Sequence, residues 1–133
     1  MKTSQLVRAA ALALIGLGVA GPRAALADIK DYEFRLVEPT VKKGERVIAV
    51  QLLNKTTGKP VPDAVIFAVR LDMEPDGMED MDTRIAAMPG GEPGVYSFKA
   101  NFSMTGRWRL SLGAKVQGET GTLENKLVFK AVP

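Results

Sequence analysis

Tyr96-Ser97-Phe98-Lys99-Ala100-Asn101-Phe102 alternates large apolar with small or polar residues, and Trp108, Leu110, Leu112, Ala114 and Val116 alternate in the same way with Arg107, Arg109, Ser111 and Lys115. A period of two is the signature of strands with one buried face. Working outward, further strands are expected at Tyr32 to Val37, Val47 to Leu53, Val65 to Leu71 and Leu123 to Lys130, with a short one near Arg84 to Ala87. Turn chemistry separates them: Lys43-Gly44, Thr57-Gly58-Lys59-Pro60, Pro75-Asp76-Gly77, Pro89-Gly90-Gly91, Thr105-Gly106 and Gly118 to Gly121. About seven short strands in roughly 100 residues predict an all-β fold, a single immunoglobulin-like antiparallel β-sandwich with Trp108 in its core.

The first residues set the compartment. Lys2 and Arg8 precede an unbroken run of apolar residues and glycine from Ala9 to Ala20, and Ala25-Leu26-Ala27 offers small residues where a signal peptidase reads them. The run is shorter than the roughly 20 apolar residues a membrane span needs. Residues 1–27 therefore read as a cleaved secretory signal peptide and 28–133 as one domain, periplasmic or secreted, with no stable membrane span after processing. Removal of Lys2, Arg8 and Arg23 with the leader takes the eighteen basic residues to fifteen, against fifteen acidic ones. The mature chain is neutral, so the basic balance of the whole chain is no argument for nucleic acid. With no cysteine, packing rather than disulfides must stabilise the domain.

The chemistry concentrates between Asp72 and Met88. Four of the six methionines (Met73, Met78, Met81, Met88) stand there among six carboxylates (Asp72, Glu74, Asp76, Glu79, Asp80, Asp82), in a chain without histidine or cysteine. Thioethers are apolar gap-fillers, yet these recur beside Pro75-Asp76-Gly77, whose residue types belong to an exposed turn. Zinc and Cu(II) sites depend chiefly on imidazole or thiolate. A sulfur site built from methionine alone leaves Cu(I) or Ag(I). Glu74-Pro75-Asp76-Gly77 fits a type I turn, flanked by Met73 and Met78, with Met81 one turn beyond Met78 if the following segment is helical. Met104 lies just before Gly106 and Trp108, and the expected metal ligands are Met73, Met78, Met81 and Met104. The competing reading is loop packing beneath an acidic lid.

Other readings are weaker on the residues. Asp72, Glu74, Asp76 and Asp80 follow part of a calcium-loop spacing, but Thr83 stands where a bidentate glutamate is required and Pro75 interrupts the loop. Arg107 and Arg109 read as a solvated strand face. No nucleophile–base pair or nucleophile elbow is present, so the chain is not expected to be an enzyme.

Several pieces in order resemble the YtkA-like/FixH-like periplasmic domain family: Thr57-Gly58-Lys59-Pro60-Val61-Pro62-Asp63-Ala64, Arg70-Leu71-Asp72-Met73-Glu74-Pro75-Asp76-Gly77-Met78, Pro93-Gly94-Val95-Tyr96 and Met104-Thr105-Gly106-Arg107-Trp108. The resemblance implies an immunoglobulin-like module associated with heavy-metal efflux or copper handling, with efflux or copper-delivery proteins as partners. The absence of histidine sets this chain apart from many metal-handling relatives. Two functions stand: a module that captures or passes Cu(I) or Ag(I) through thioethers, or a metal-free module that docks a partner through its acidic methionine segment or a strand edge.

Overall fold

The computed structural model describes residues 28–133; the leader expected at 1–27 lies outside them. Nine strands follow in order: β1 (Tyr32–Leu36), β2 (Thr40–Lys42), β3 (Gly44–Asn54), β4 (Val65–Met73), β5 (Met78–Thr83), β6 (Ile85–Met88), β7 (Val95–Phe102), β8 (Gly106–Lys115) and β9 (Leu123–Val132). Short 3-10 turns occupy Ile29–Asp31 and Glu74–Asp76. The strands form two sheets, β2-β9-β8-β4-β5 and β1-β3-β7-β6. All pairings are antiparallel except that of β2 with β9.

The period-two reading finds the face of each long strand. Phe98, Ala100 and Phe102 of β7 and Trp108, Leu110, Leu112 and Ala114 of β8 point inward and are buried. They meet Phe34, Ile48, Val50 and Leu52 from the four-stranded sheet and Leu71, Met73, Phe129 and Ala131 from the five-stranded one. Each large side chain so buried contributes about 1.5–3 kcal/mol relative to an exposed one. Trp108 and Phe129 both pack edge-on against Phe102, with ring centroids 5.8 and 5.7 Å from it. At the other end Tyr96 donates its hydroxyl to the Val61 carbonyl (2.8 Å) and accepts the Ala64 amide (3.0 Å). One phenol thereby pins the irregular connection between β3 and β4.

Two strands depart from the sequence-based expectation. β2 is only three residues long and is made by pairing with β9 rather than by a pattern of its own. β5 covers Met78–Thr83, where a helical turn or exposed loop was expected. Its residues carry almost no apolar alternation, and what makes them a strand is pairing with β4: Leu71 opposes Thr83, Asp72 opposes Asp82, and Met73 opposes Met78. The register shifts between Asp72 and Met73, which leaves Glu79, Asp80 and Met81 in a bulge. The segment after Gly77 is therefore not a helix, and Met81 is not stacked over Met78 by helical spacing.

Candidate functional site: the Met73–Met78 end of the sandwich

The β4–β5 hairpin turns through Glu74-Pro75-Asp76-Gly77. Gly77 stands at φ 78°, the left-handed region that glycine enters without cost, and its amide donates to the Glu74 carbonyl at 2.8 Å. The expected turn is thus present. Its carboxylates are not a loose acidic lid. Asp72 has no exposed surface and lies on the outer face of the five-stranded sheet, opposite Arg109 of β8 and Asp82 of β5. Its Oδ2 accepts from Arg70 Nε (2.8 Å) and Arg109 Nη2 (3.2 Å), and its Oδ1 accepts the Glu74 amide (3.0 Å).

Arg70 also donates to Asp82 and to the Glu79 carbonyl, both at 3.0 Å. Arg109 reaches Glu79 (3.3 Å) and Glu74 (3.6 Å). Arg107 clamps the turn itself: its amide and Nε donate to the two oxygens of Asp76, each at 2.8 Å, and Nη2 donates to the Pro75 carbonyl at 2.8 Å.

Five of the six carboxylates are therefore held by three arginines. Arg109 is not part of a solvated strand face, as its spacing had suggested, for its side chain is only 16% exposed; Arg107 does face solvent, at 58% exposed, while it holds the turn. Sequence shows Arg107 and Arg109 on one face, and Arg70 and Asp72 on one face, but the register that sets Arg109 against Asp72 is a tertiary fact. Burial pushes the Asp72 carboxyl up, but the Glu74 amide, Arg70 and Arg109 outweigh it and hold the group below the usual 3.8. The Arg107 amide, then its guanidinium, lowers Asp76 in the same way. The Asp72 bonds in turn raise Arg70 and Arg109. Among the described residues no group of three or more histidine, cysteine, aspartate or glutamate side chains is placed to hold a metal ion. The partial calcium-loop spacing does not produce a cage, because Asp72 faces arginines and Asp76 closes onto Arg107.

The methionines sit on the inner side of this hairpin. Met73 is fully buried and Met78, its cross-strand partner, packs partly buried against the core. Opposed residues of an antiparallel pair share a face, so the two thioethers point to the same side. Gly106 abuts Met73: a Cβ on Gly106, which stands at φ 136°, would come within 2.7 Å of Met73 Cε and 2.5 Å of Asp76 Oδ2. Met104 is two residues before that contact, 39% exposed, and its carbonyl accepts Trp108 Nε1 at 3.0 Å. The structure thus pairs Met73 with Met78 and brings the Met104 turn to the same end of the sandwich. Met81 lies in the β5 bulge and is exposed, and Met88 is exposed at the far end of β6. Trp108 is a core residue, as its alternation predicted.

A small two-sheet domain with an arginine-clamped methionine hairpin at one end is the arrangement to set beside known proteins. The chain belongs to the YtkA-like family, whose model matches residues 26–113. Domains of this family are modules of extracytoplasmic type, and among the described residues no helix is long and apolar enough to cross a membrane. Two solved structures are similar in outline. The Lin-41 filamin domain matches with a TM-score of 0.45 and 18% identity, over 80% of this chain and 94% of that one. The ZirS C-terminal domain matches with a TM-score of 0.46 and 11% identity, over 99% of this chain and 88% of that one. No curated protein matches this chain.

Proposed function

We propose that this YtkA-like domain is a non-catalytic, extracytoplasmic module that takes up Cu(I) or Ag(I) on the thioethers of Met73, Met78 and Met104, with Met81 at the entrance, and passes the ion to an efflux or copper-delivery protein. The observation that supports it is the cross-strand pairing of Met73 with Met78 beside the Gly106 contact that brings in the Met104 turn. The donor chemistry suits a soft d¹⁰ ion: thioethers bind without losing a proton, and no imidazole or thiolate competes for the site. Arg70, Arg107 and Arg109 engage the nearby carboxylates, which leaves sulfur as the selective element rather than local negative charge. Met73 is fully buried, so an ion reaches it only when the Glu74–Gly77 turn or the Met104 turn moves aside.

Competition with a Cu(I) chelator under anaerobic conditions, read together with X-ray absorption at the copper edge, tests this. The mature domain should bind about one Cu(I) through sulfur scatterers and show little affinity for Zn²⁺ or Cu²⁺. Replacing Met78 and Met104 by Ile nearly conserves volume, so a packing role predicts a stability change below about 1.5 kcal/mol and unaltered metal behaviour. Coordination predicts at least about a hundredfold loss of affinity, equivalent to about 2.8 kcal/mol, with the fold intact. Equal affinity in that variant would favour the metal-free docking module.

A further inference from the structure

Away from the methionine end, β4 leaves most of one edge without a partner. β8 pairs with it along Val65–Asp72 on one side, but β5 covers only Leu71–Met73 on the other before the chain crosses at Arg84 into the second sheet. Val65-Ile66-Phe67-Ala68-Val69-Arg70 therefore has backbone groups directed away from β8 that, among the described residues, no strand receives. Natural sheets blunt such edges with charge, proline or brevity. The other edges here do so: β1 carries Glu33 and Arg35, β2 is three residues long after Pro39, β5 carries Glu79, Asp80 and Asp82, β6 is four residues long, and the stretches of β3 and β9 that outrun β1 and β2 carry Glu45 and Arg46, and Glu124 and Lys126. Among the described residues only the β4 edge is a mostly β-branched and aromatic run without charge before Arg70, with a bulge between Ile66 and Ala68 and with Val65 62% and Phe67 56% exposed.

Beside this edge the two sheets part. A cleft of about 470 Å³ runs between Ile66 and Val69 of β4 and Ala87, Met88, Tyr96 and Phe98 of β6 and β7. Asp63 and Glu92 stand at its margin. Both are exposed, and among the described residues neither takes part in an ion pair.

We infer that the β4 edge and this cleft form a strand-addition site for an extended segment of a partner protein, about six residues long, with alternating apolar residues and a flanking lysine or arginine. An extended segment of that length spans about 20 Å and can hydrogen-bond along Val65–Arg70. Every second side chain then enters the cleft between Val69 and Met88, while the basic flank meets Asp63 and Glu92. Backbone pairing supplies affinity, and the cleft with its two carboxylates supplies selectivity. The cleft and its two carboxylates lie toward the Val65 end of β4, away from Met73 and Met78, and only Arg70 at the far limit of the edge borders the methionine hairpin.

Two blocked ten-residue peptides test this against the isotopically labelled mature domain, both alternating valine and threonine, one with lysine and one with glutamate at its ends. The lysine peptide should shift the Val65–Arg70 amides in two-dimensional NMR spectra and slow their hydrogen exchange. The glutamate peptide should bind at least about tenfold more weakly. Met88→Lys changes an exposed residue and should weaken the lysine peptide by about tenfold or more. Asp63→Asn with Glu92→Gln should erase the difference between the peptides, asparagine being chosen because Asp63 stands at φ 66°, which it tolerates. Unshifted Val65–Arg70 amides at about 1 mM peptide, a concentration that detects even weak binding, would overturn the proposal. So would equal binding of the two peptides, or protection of the same amides by dimerisation of the domain alone.

Discussion

Replacing Asp72 by Asn should be among the most costly single-atom-scale changes in this domain. Asp72 is fully buried, and its carboxylate receives Arg70, Arg109 and the Glu74 amide. Asparagine keeps the oxygen that accepts the Glu74 amide but places an amide group, or an uncharged oxygen, against two guanidinium groups. Losing the partner of a buried charge costs about 3–5 kcal/mol when nothing replaces it. That limit does not apply in full. The Arg70 side chain is 47% exposed and can turn to water, whereas Arg109 cannot, and its Nε already lacks a hydrogen-bond partner. Arg109 does retain Glu79 and Glu74. The expected loss is therefore about 2–3 kcal/mol, near that of one or two charge-assisted hydrogen bonds.

Urea unfolding followed by the fluorescence of the single, buried Trp108 reads this directly. With a slope of about 1–1.5 kcal/mol/M for a domain of this size, the midpoint should fall by roughly 2 M at unchanged slope. Asp82→Asn is the control: it removes an Arg70 partner that is 55% exposed and should cost less than about 1 kcal/mol. If Asp72→Asn falls within about 0.5 kcal/mol of Asp82→Asn, burial does not raise the worth of this network and the reasoning fails.

Gly106→Ala should destabilise by about 1–3 kcal/mol, because it combines a left-handed backbone with overpacking against Met73 and Asp76, and the same urea titration measures it. The pH profile of that midpoint should be flat from about pH 5 to 8, since there is no histidine. Asp72 and Asp76 titrate below their usual 3.8 in the folded protein. Their contribution is thus present above that value and is lost as pH falls through the lower folded values, so Asp72→Asn should flatten the acid limb. Tyr32 and Tyr96 are raised above 10.0, chiefly by burial; their contribution holds below that value and is lost as pH rises through the folded values, and Tyr96→Phe should reduce the alkaline fall.

The sandwich was legible where burial imposes a period. β7 and β8 announce themselves because every second residue enters one core, and the turn at Glu74–Gly77 is written in proline and glycine. β5 was not legible, since Glu79, Asp80 and Asp82 say nothing about burial and the strand exists through its pairing with β4. Of the methionines that the sequence singles out, Met73 and Met78 are cross-strand partners and the Met104 turn lies at the same end, whereas Met81 and Met88 are exposed. The misreading lay in the charges. Six carboxylates within eleven residues looked like an open lid because the three arginines that hold five of them come from β4 and β8, and which carboxylate meets which arginine depends on a register that no local pattern encodes. The free edge of β4 was hidden for the same reason, because an unpaired strand reads like any other until its neighbours are counted.

The order of strands also bears on how the domain is made. β9 follows every other strand of this sandwich, yet it lies between β8 and β2 and carries Phe129 into the core. The five-stranded sheet cannot close while Leu123–Val132 is still unavailable, and until then β8 presents a second bare edge beside exposed Leu110 and Leu112. β2 is added still later in this logic, because Thr40–Lys42 joins only through Lys130–Val132. Such non-local closure raises contact order and slows folding toward the millisecond-to-second range. Until Leu123–Val132 has joined, the domain lacks one wall of its core, and the bare edge of β8 is open to pairing with any other extended segment.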